Sequence, residues 1–253
     1  MQIHTYTRIG THDTDHNEDA YVTAEIGTDR LLLAVLDGCS TGTDSHLVAG
    51  LAAKLLRKIA QEYFYQEFAQ RRQLPLPELL NAVVQSLFAQ LKQTQSLLQF
   101  STDELLSTLV LAVVDQPSHR AETLVVGDGL VGFNGTFTEY EQGEEPEFLG
   151  YHLTGEAAEL SVTSTYRRSL ADVYDLSLAT DGVFTFRPFN HDSYPPKSEA
   201  AIIDFLLTDS TGKEDPNMLK KKIKHVERLW GLRATDDLTL VRLIWDGTEG
   251  LPD

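Results

Sequence analysis

Six apolar residues in a row, 31–36, run directly into Asp37-Gly38 within the stretch LLLAVLDGCSTGTDS. An unbroken apolar run of that length belongs to a strand covered on both faces, so the chain must place layers on either side of a sheet. The acid then stands at the rim of that sheet, and the glycine lets the backbone turn sharply beside it. One Asp-Gly pair is an ordinary turn. Here the pattern is repeated. Asp181-Gly182 follows the run 173–179, Asp236-Asp237 precedes the run 238–244, and Glu18-Asp19 precedes a short strand-like run, 20–24. Acids at strand ends in separated parts of the chain point to one carboxylate-lined site for hard cations.

The rest of the chain can be divided by periodicity. Residues 2–8 alternate, with Ile3, Thr5 and Thr7 on one side, and form a first strand. The acid- and histidine-rich stretch GTHDTDHNEDA is too polar for a core and forms a loop; His12 and His16 are read there as exposed loop histidines rather than zinc ligands. Apolar residues from Leu47 to Phe68 recur at helical spacing, with Thr43, Asp44 or Ser45 as N-cap. The first turn of that helix lies close behind Asp37, where its free N–H groups favour an anion. After the break RRQLPLP a second helix carries its stripe from Leu79 to Leu91, so the two form an antiparallel pair laid on a sheet.

Strands follow at 105–114, 121–126, 130–133, 136–140, 161–166 and 173–179, with a hairpin turn at Asn134-Gly135. Residues 186–196 are expected as a loop and 198–207 as a helix. Asp215 is expected to cap another helix, with Pro216 at its first position, and 238–245 to form the last strand. Lys220, Lys221, Lys222 and Lys224 read as a solvated face. Strands joined by hairpins rather than by alternating helices argue for antiparallel sheets with helices outside. The expected fold is α+β, a four-layer α-β-β-α sandwich of two antiparallel sheets, each covered by a helix pair. It is expected to form one domain over 1–253.

A net charge of −17 argues against a nucleic-acid or anionic-membrane partner. The single Cys39 excludes an internal disulfide framework and fits a reducing, cytoplasmic setting. The opening MQIHTYTRIG has neither a basic nor an apolar segment of the kind a signal peptide needs, and no run approaches the roughly 18 apolar residues of a membrane span. A monomer is expected.

Taken in order, NEDAYV, LLLAVLDG, DELLSTLVLAVV, LVVGDGLVGF, DLSLATDGVF and ATDDLTLVRL resemble the motif series of the protein phosphatase 2C family, the metal-dependent serine/threonine phosphatases. The resemblance spans nearly the whole chain and implies two Mg²⁺ or Mn²⁺ ions that hold a bridging water for attack on a phosphoserine or phosphothreonine of a protein. By position, Asp37 matches the acid that bridges both metals. The Gly38 carbonyl and Glu18 match ligands of one metal, with Asp19 beside them; Asp181 and Asp236 match ligands of the other. Asp37, Asp181 and Asp236 are thus the expected catalytic acids. Asp103, or Glu104 in its place, sits where many members hold a third, weaker metal. Asp128 is expected to be structural.

Two positions depart from the pattern. Thr14 stands where many members carry an arginine for the substrate phosphate, and Arg8, Arg167 and Arg187 are the next candidates for that charge. Cys39 stands where some members place a histidine after the glycine; His46 is a candidate substitute, the alternative being that Ser40, Thr41 and Gly42 form the loop beside the metals instead. The GCSTGTDSH form resembles a divergent bacterial branch. Two other functions compete with the protein phosphatase: a non-catalytic binding module, favoured by the missing arginine, and a phosphatase of small phosphorylated metabolites.

Overall fold

The computed structural model of the protein describes residues 1–12, 16–39, 46–143, 146–153, 166–189 and 197–245. Twelve strands and four α-helices are present among them: β1 (Gln2–Arg8), β2 (Ala20–Gly27), β3 (Arg30–Leu36), α1 (His46–Gln70), α2 (Leu76–Leu98), β4 (Leu109–Asp115), β5 (Arg120–Val126), β6 (Gly129–Phe133), β7 (Thr136–Tyr140), β8 (Tyr166–Leu170), β9 (Asp175–Ala179), β10 (Phe186–Pro188), α3 (Glu199–Leu207), α4 (Met218–Leu229), β11 (Leu232–Ala234) and β12 (Leu238–Ile244). They form two five-stranded sheets, β1-β12-β9-β6-β7 and β2-β3-β4-β5-β8, and a small ribbon of β10 with β11. All the strand pairs are antiparallel.

Alternation along the strands builds the layers. In β3, Leu32, Ala34 and Leu36 pack under α1 and α2, while Leu31, Leu33 and Val35 point into the gap between the sheets. In β12, Leu238, Leu240 and Ile244 pack under α3 and α4, while Val241 and Leu243 enter the same gap. Three apolar layers result, and the order is helix pair, sheet, sheet, helix pair. Full burial of a single leucine in such a layer contributes about 1.5–3 kcal/mol. The four-layer α+β expectation therefore holds.

Three local differences have clear causes. The apolar run expected as one strand over 105–114 opens with a 3-10 turn, Asp103–Leu105, and the strand begins only at Leu109. Leu105 and Leu106 are buried in both readings, so burial gives no sign of the turn. Helix α4 starts at Met218 rather than at Pro216, because the Asp215 carboxylate accepts the Asn217 N–H (2.8 Å) and holds a preceding turn. Ribbon strand β10 lies within the segment expected as loop. The N-cap candidates Thr43, Asp44 and Ser45 lie outside the described residues, as do 161–165 of the expected eighth strand.

Lys222 is also not on the solvated face assigned to it. It is 4% exposed, and its Nζ donates to the Phe205 and Asp209 carbonyls at 2.7 and 2.6 Å. Arg242 of β12 is fully buried and meets the same end of α3. It donates to the carbonyls of Leu206 (3.1 Å), Thr208 (2.8 Å) and Asp209 (2.9 Å), and makes a two-point contact with Asp175 (2.9 and 2.5 Å). Two cations thus satisfy carbonyls that the helix end leaves open and complement its negative pole. Among the described residues no helix is long and apolar enough to cross a membrane.

Candidate active site

The same alternation brings the acids together. Ala20 pairs with Leu36 across β2 and β3, so the next residues outward, Asp19 and Asp37, stand side by side at the rim. Asp37 has the parity of Leu33 and Val35 and so points into the gap between the sheets. Thr180, just past β9, reaches across that gap, and its Oγ1 donates to Asp19 Oδ2 at 2.7 Å. Asp181 follows it in a 3-10 turn, Asp181–Phe184, and Asp236 precedes β12.

Backbone contacts fix the frame. The Asp37 carbonyl accepts the Thr108 N–H (2.8 Å), and the Gly38 N–H donates to the Glu18 carbonyl (3.2 Å). Asp237 is buried; its two oxygens accept the N–H groups of Gly10 (2.7 Å) and Glu18, tying both ends of the polar loop to β12. A Cβ on Gly182 would lie 1.8 Å from the Asp237 carbonyl oxygen, so only glycine lets the Asp181 turn seat against Asp236-Asp237. The Asp236 N–H donates to Thr185 Oγ1 (3.2 Å), and Thr239 N–H donates to Thr180 Oγ1 (3.0 Å).

The electrostatics show the strain of this arrangement. Burial is the largest influence on all three inner acids. It pushes the Asp19 carboxyl up to about 8, with the charge of Asp237 adding to the rise and hydrogen bonds from Thr180, Thr239 and Asp37 opposing it. Asp37 is held well above the carboxylate range by burial and then by the charges of Asp19, Asp181 and Asp236. Asp181 is raised to about 6 by burial, then by Asp236 and Asp128. Among the described residues no lysine, arginine or histidine forms an ion pair with Asp19, Asp37, Asp181, Asp236 or Asp237.

Asp19 Oδ1 is buried with no donor, although the Asp37 carboxyl is within hydrogen-bonding reach if one of the pair holds a proton. An orphaned carboxylate oxygen, uncompensated negative charge and an all-oxygen donor set fit a hard divalent cation. The described side chains do not close into a ready cage: no three of their His, Cys, Asp or Glu groups are arranged to hold an ion.

A stability consequence follows for the metal-free protein. A carboxyl whose folded pKa is raised destabilises the fold progressively as pH climbs from its unfolded value toward its folded one. For Asp19 that window runs from about 4 to about 8. In EDTA, Asp19→Asn is therefore expected to melt several degrees above wild type at pH 8, with the gap closing toward pH 4, as thermal melts at several pH values will show.

Other candidate residues lie differently. Glu18 has its backbone pinned by Gly38 and Asp237, and its charge reaches Asp237. Asp103 is exposed on its 3-10 turn and, among the described residues, makes no hydrogen bond or ion pair to the inner acids. Glu104 Oε2 is taken by Ser101 N–H and Oγ (2.8 and 2.9 Å). Asp128, expected to be structural, accepts the Gln142 N–H on its Oδ1 at 2.8 Å, and its charge also reaches Asp181. Thr14, Ser40 and Thr41 lie outside the described residues, as does the side chain of His46.

Of the spare arginines, Arg8 is paired with Glu227, Arg167 donates to Asn81, and Arg187 is exposed. Thr180, Thr185 and Thr239 were given no role by sequence reasoning, and Asp237 was read only as one of the strand-end acids, not as the anchor of the polar loop. The repeated tripeptide Ala-Thr-Asp, at 179–181 and 234–236, was the available signal for the first of these, Thr180.

The family model for protein phosphatase 2C matches residues 10–224. The chain belongs to the protein phosphatase 2C family. Solved structures share this fold. A bacterial serine phosphatase superposes with a TM-score of 0.63 at 16% identity, over 99% of this chain and 100% of that one. PppA of Pseudomonas aeruginosa, described as a key regulatory component of T6SS, gives 0.59 at 20% identity, over 96% and 97%. The phosphatase domain of the Bacillus subtilis cell fate determinant SpoIIE, solved with a fragment of its regulatory domain, gives 0.59 at 15% identity, over 95% of this chain and 62% of that one. Comparison with curated protein sequences gave no match. At these identities the structural likeness carries the fold, and the family match carries the membership.

Proposed function

We propose that this protein is a metal-dependent phosphatase of phosphoserine and phosphothreonine residues in proteins. One observation carries the reading: acids from four strand ends meet at one end of the inter-sheet gap with no described cation to balance them. Asp37, Glu18 and the Gly38 carbonyl would hold one divalent ion, with Asp19 beside them, and Asp37, Asp181 and Asp236 the other. Asp103 offers an exposed carboxylate for a third, weaker site. Bound Mg²⁺ or Mn²⁺ would supply Lewis acidity and a water of lowered pKa for attack on phosphorus.

The chain's own groups set the geometry of that attack. Thr180 fixes the Asp19 carboxylate by one hydrogen bond and is itself fixed by the Thr239 backbone, so it positions rather than reacts. Thr185 holds the Asp236 backbone, and Asp237 holds the loop that carries Thr14. These supports keep the acids in place while charge changes around them.

Two experiments test the reading. Asp181→Ala and Asp236→Ala are each expected to raise the Mn²⁺ concentration for half-maximal activity by ~10-fold or more, as loss of one oxygen ligand implies. An unchanged requirement in both variants would remove these acids from the site. Hydrolysis of a phosphothreonine peptide well above a panel of sugar phosphates and nucleotides supports the protein-phosphatase assignment, and the reverse order overturns it.

A further inference from the structure

The ribbon of β10 and β11 grows out of the acid cluster and carries an unusual charge pattern. Its register sets Arg187 directly opposite Arg233. Like charges facing each other across paired strands are unfavourable. A third arginine joins them: Arg8 and Arg233 meet the same oxygen of Glu227, the latter through Nε at 2.9 Å. Three guanidiniums thus gather around a single carboxylate that pairs with two of them, a local charge of +2 (three minus one) on a chain whose net charge is −17.

Packing accounts for part of this. Arg233 lies over the Phe189 ring, 4.4 Å from its centroid, and Glu227 steadies two of the three. Arg187 is exposed, donates to its neighbour's carbonyl on Phe186 (2.9 Å), and makes no ion pair with a described residue. Arg8 and Arg233 each keep 35% of their side-chain surface open.

The ribbon is anchored where the chemistry is. Thr185 and Thr235, at its base, are joined by Thr235 N–H and Oγ1 to the Thr185 carbonyl (3.2 and 3.0 Å), and Thr185 Oγ1 also accepts the Asp236 N–H. Arg187 is six residues beyond Asp181, and Arg233 three before Asp236. Even a fully extended chain limits those separations to about 20 and 10 Å. A bound peptide covers such a span in roughly three to six residues.

Resting on the phosphatase reading above, we propose that Arg8, Arg187 and Arg233 form a subsite for an anionic residue of the substrate chain, a few positions from the phosphorylated one. Carboxylate and phosphate share the required chemistry, and a guanidinium binds either by paired hydrogen bonds. The subsite selects among phosphoproteins rather than taking part in the chemical step.

The test is kcat/KM at saturating Mn²⁺ for four phosphothreonine peptides alike except in their flanks: neutral, basic, acidic, or bearing a second phosphoserine. p-Nitrophenyl phosphate, which has no flanks, serves as the wild-type activity standard. The acidic or doubly phosphorylated peptide is expected to exceed the neutral one by roughly three- to tenfold, less at high salt. The ratio should fall toward one in Arg187→Gln and recover in Arg187→Lys. Whichever anionic peptide leads identifies the source of the charge. Hydrolysis of the ester with equal rates on all peptides, or a preference unmoved by Arg187→Gln, would overturn the proposal and leave the phosphatase reading standing. No hydrolysis of the ester would overturn that reading, and the subsite with it.

Discussion

Asp37→Asn is expected to abolish phosphatase activity while leaving the fold intact. Asp37 is the acid on which the charges of Asp19, Asp181 and Asp236 all act, so it sits at the electrical centre of the cluster. In the proposed mechanism its carboxylate is shared between two cations. An amide of the same shape is neutral and cannot balance them. Loss of several kcal/mol of metal-dependent stabilisation corresponds to a rate at least ~10³-fold lower at saturating Mn²⁺. The substitution also removes a like-charge repulsion, so the variant should melt no lower than wild type in EDTA. Single-turnover phosphate release and thermal melts check both halves. Activity within about tenfold of wild type would reject Asp37 as the shared ligand.

The second large effect concerns stability and lies away from the site. Arg242 is fully buried, and Asp175 is its only ion-pair partner among the described residues. Asp175→Ala leaves a guanidinium in the core with three carbonyls but no counter-charge. Breaking a buried pair from one side costs about 3–5 kcal/mol. The expected fall in melting temperature is roughly 6–12 °C for a chain of this size. The exposed pair Lys58–Glu62, with side chains 59% and 46% open, supplies the contrast: Glu62→Ala should change stability by less than ~0.5 kcal/mol. Equal effects of the two substitutions would show that Arg242 does not depend on Asp175.

Much of this architecture could be read from periodicity, because burial on one or both faces of a strand leaves a pattern in the residues themselves. Strand β1 falls where alternation placed it, β7 where the Asn134-Gly135 hairpin placed it, and the unbroken run before Asp37 led correctly to a sheet covered on both sides. The pattern failed where an element is too short to repeat or where tertiary contacts outweigh local preference. Ribbon strands β10 and β11 have three residues each, and one of them ends in Pro188. Lys222 looks like its solvent-facing neighbours until the end of α3 is folded over it.

The acids were legible for the same reason as the strands, since each marks a strand end. Their repetition at separated strand ends already suggested one carboxylate-lined site, the family resemblance implied which acids share a metal, and strand register accounts for the pairing of Asp19 with Asp37. The supporting groups were not legible. Thr180 matters through a hydrogen bond to a residue 161 positions away, and Asp237 through contacts to Gly10 and Glu18. No local spacing encodes such partnerships. The β10–β11 arginines are scattered likewise, at 8, 187 and 233, and only the ribbon and α4 bring them together.

The most direct test of the account is phosphate release from one phosphothreonine peptide by the wild-type protein, titrated with Mn²⁺ and Mg²⁺ after EDTA treatment. The account predicts no release in EDTA, a saturable rise with either ion, and loss of that rise in Asp37→Asn. Release that persists undiminished in excess EDTA, or none at any ion concentration from a folded protein, would contradict it.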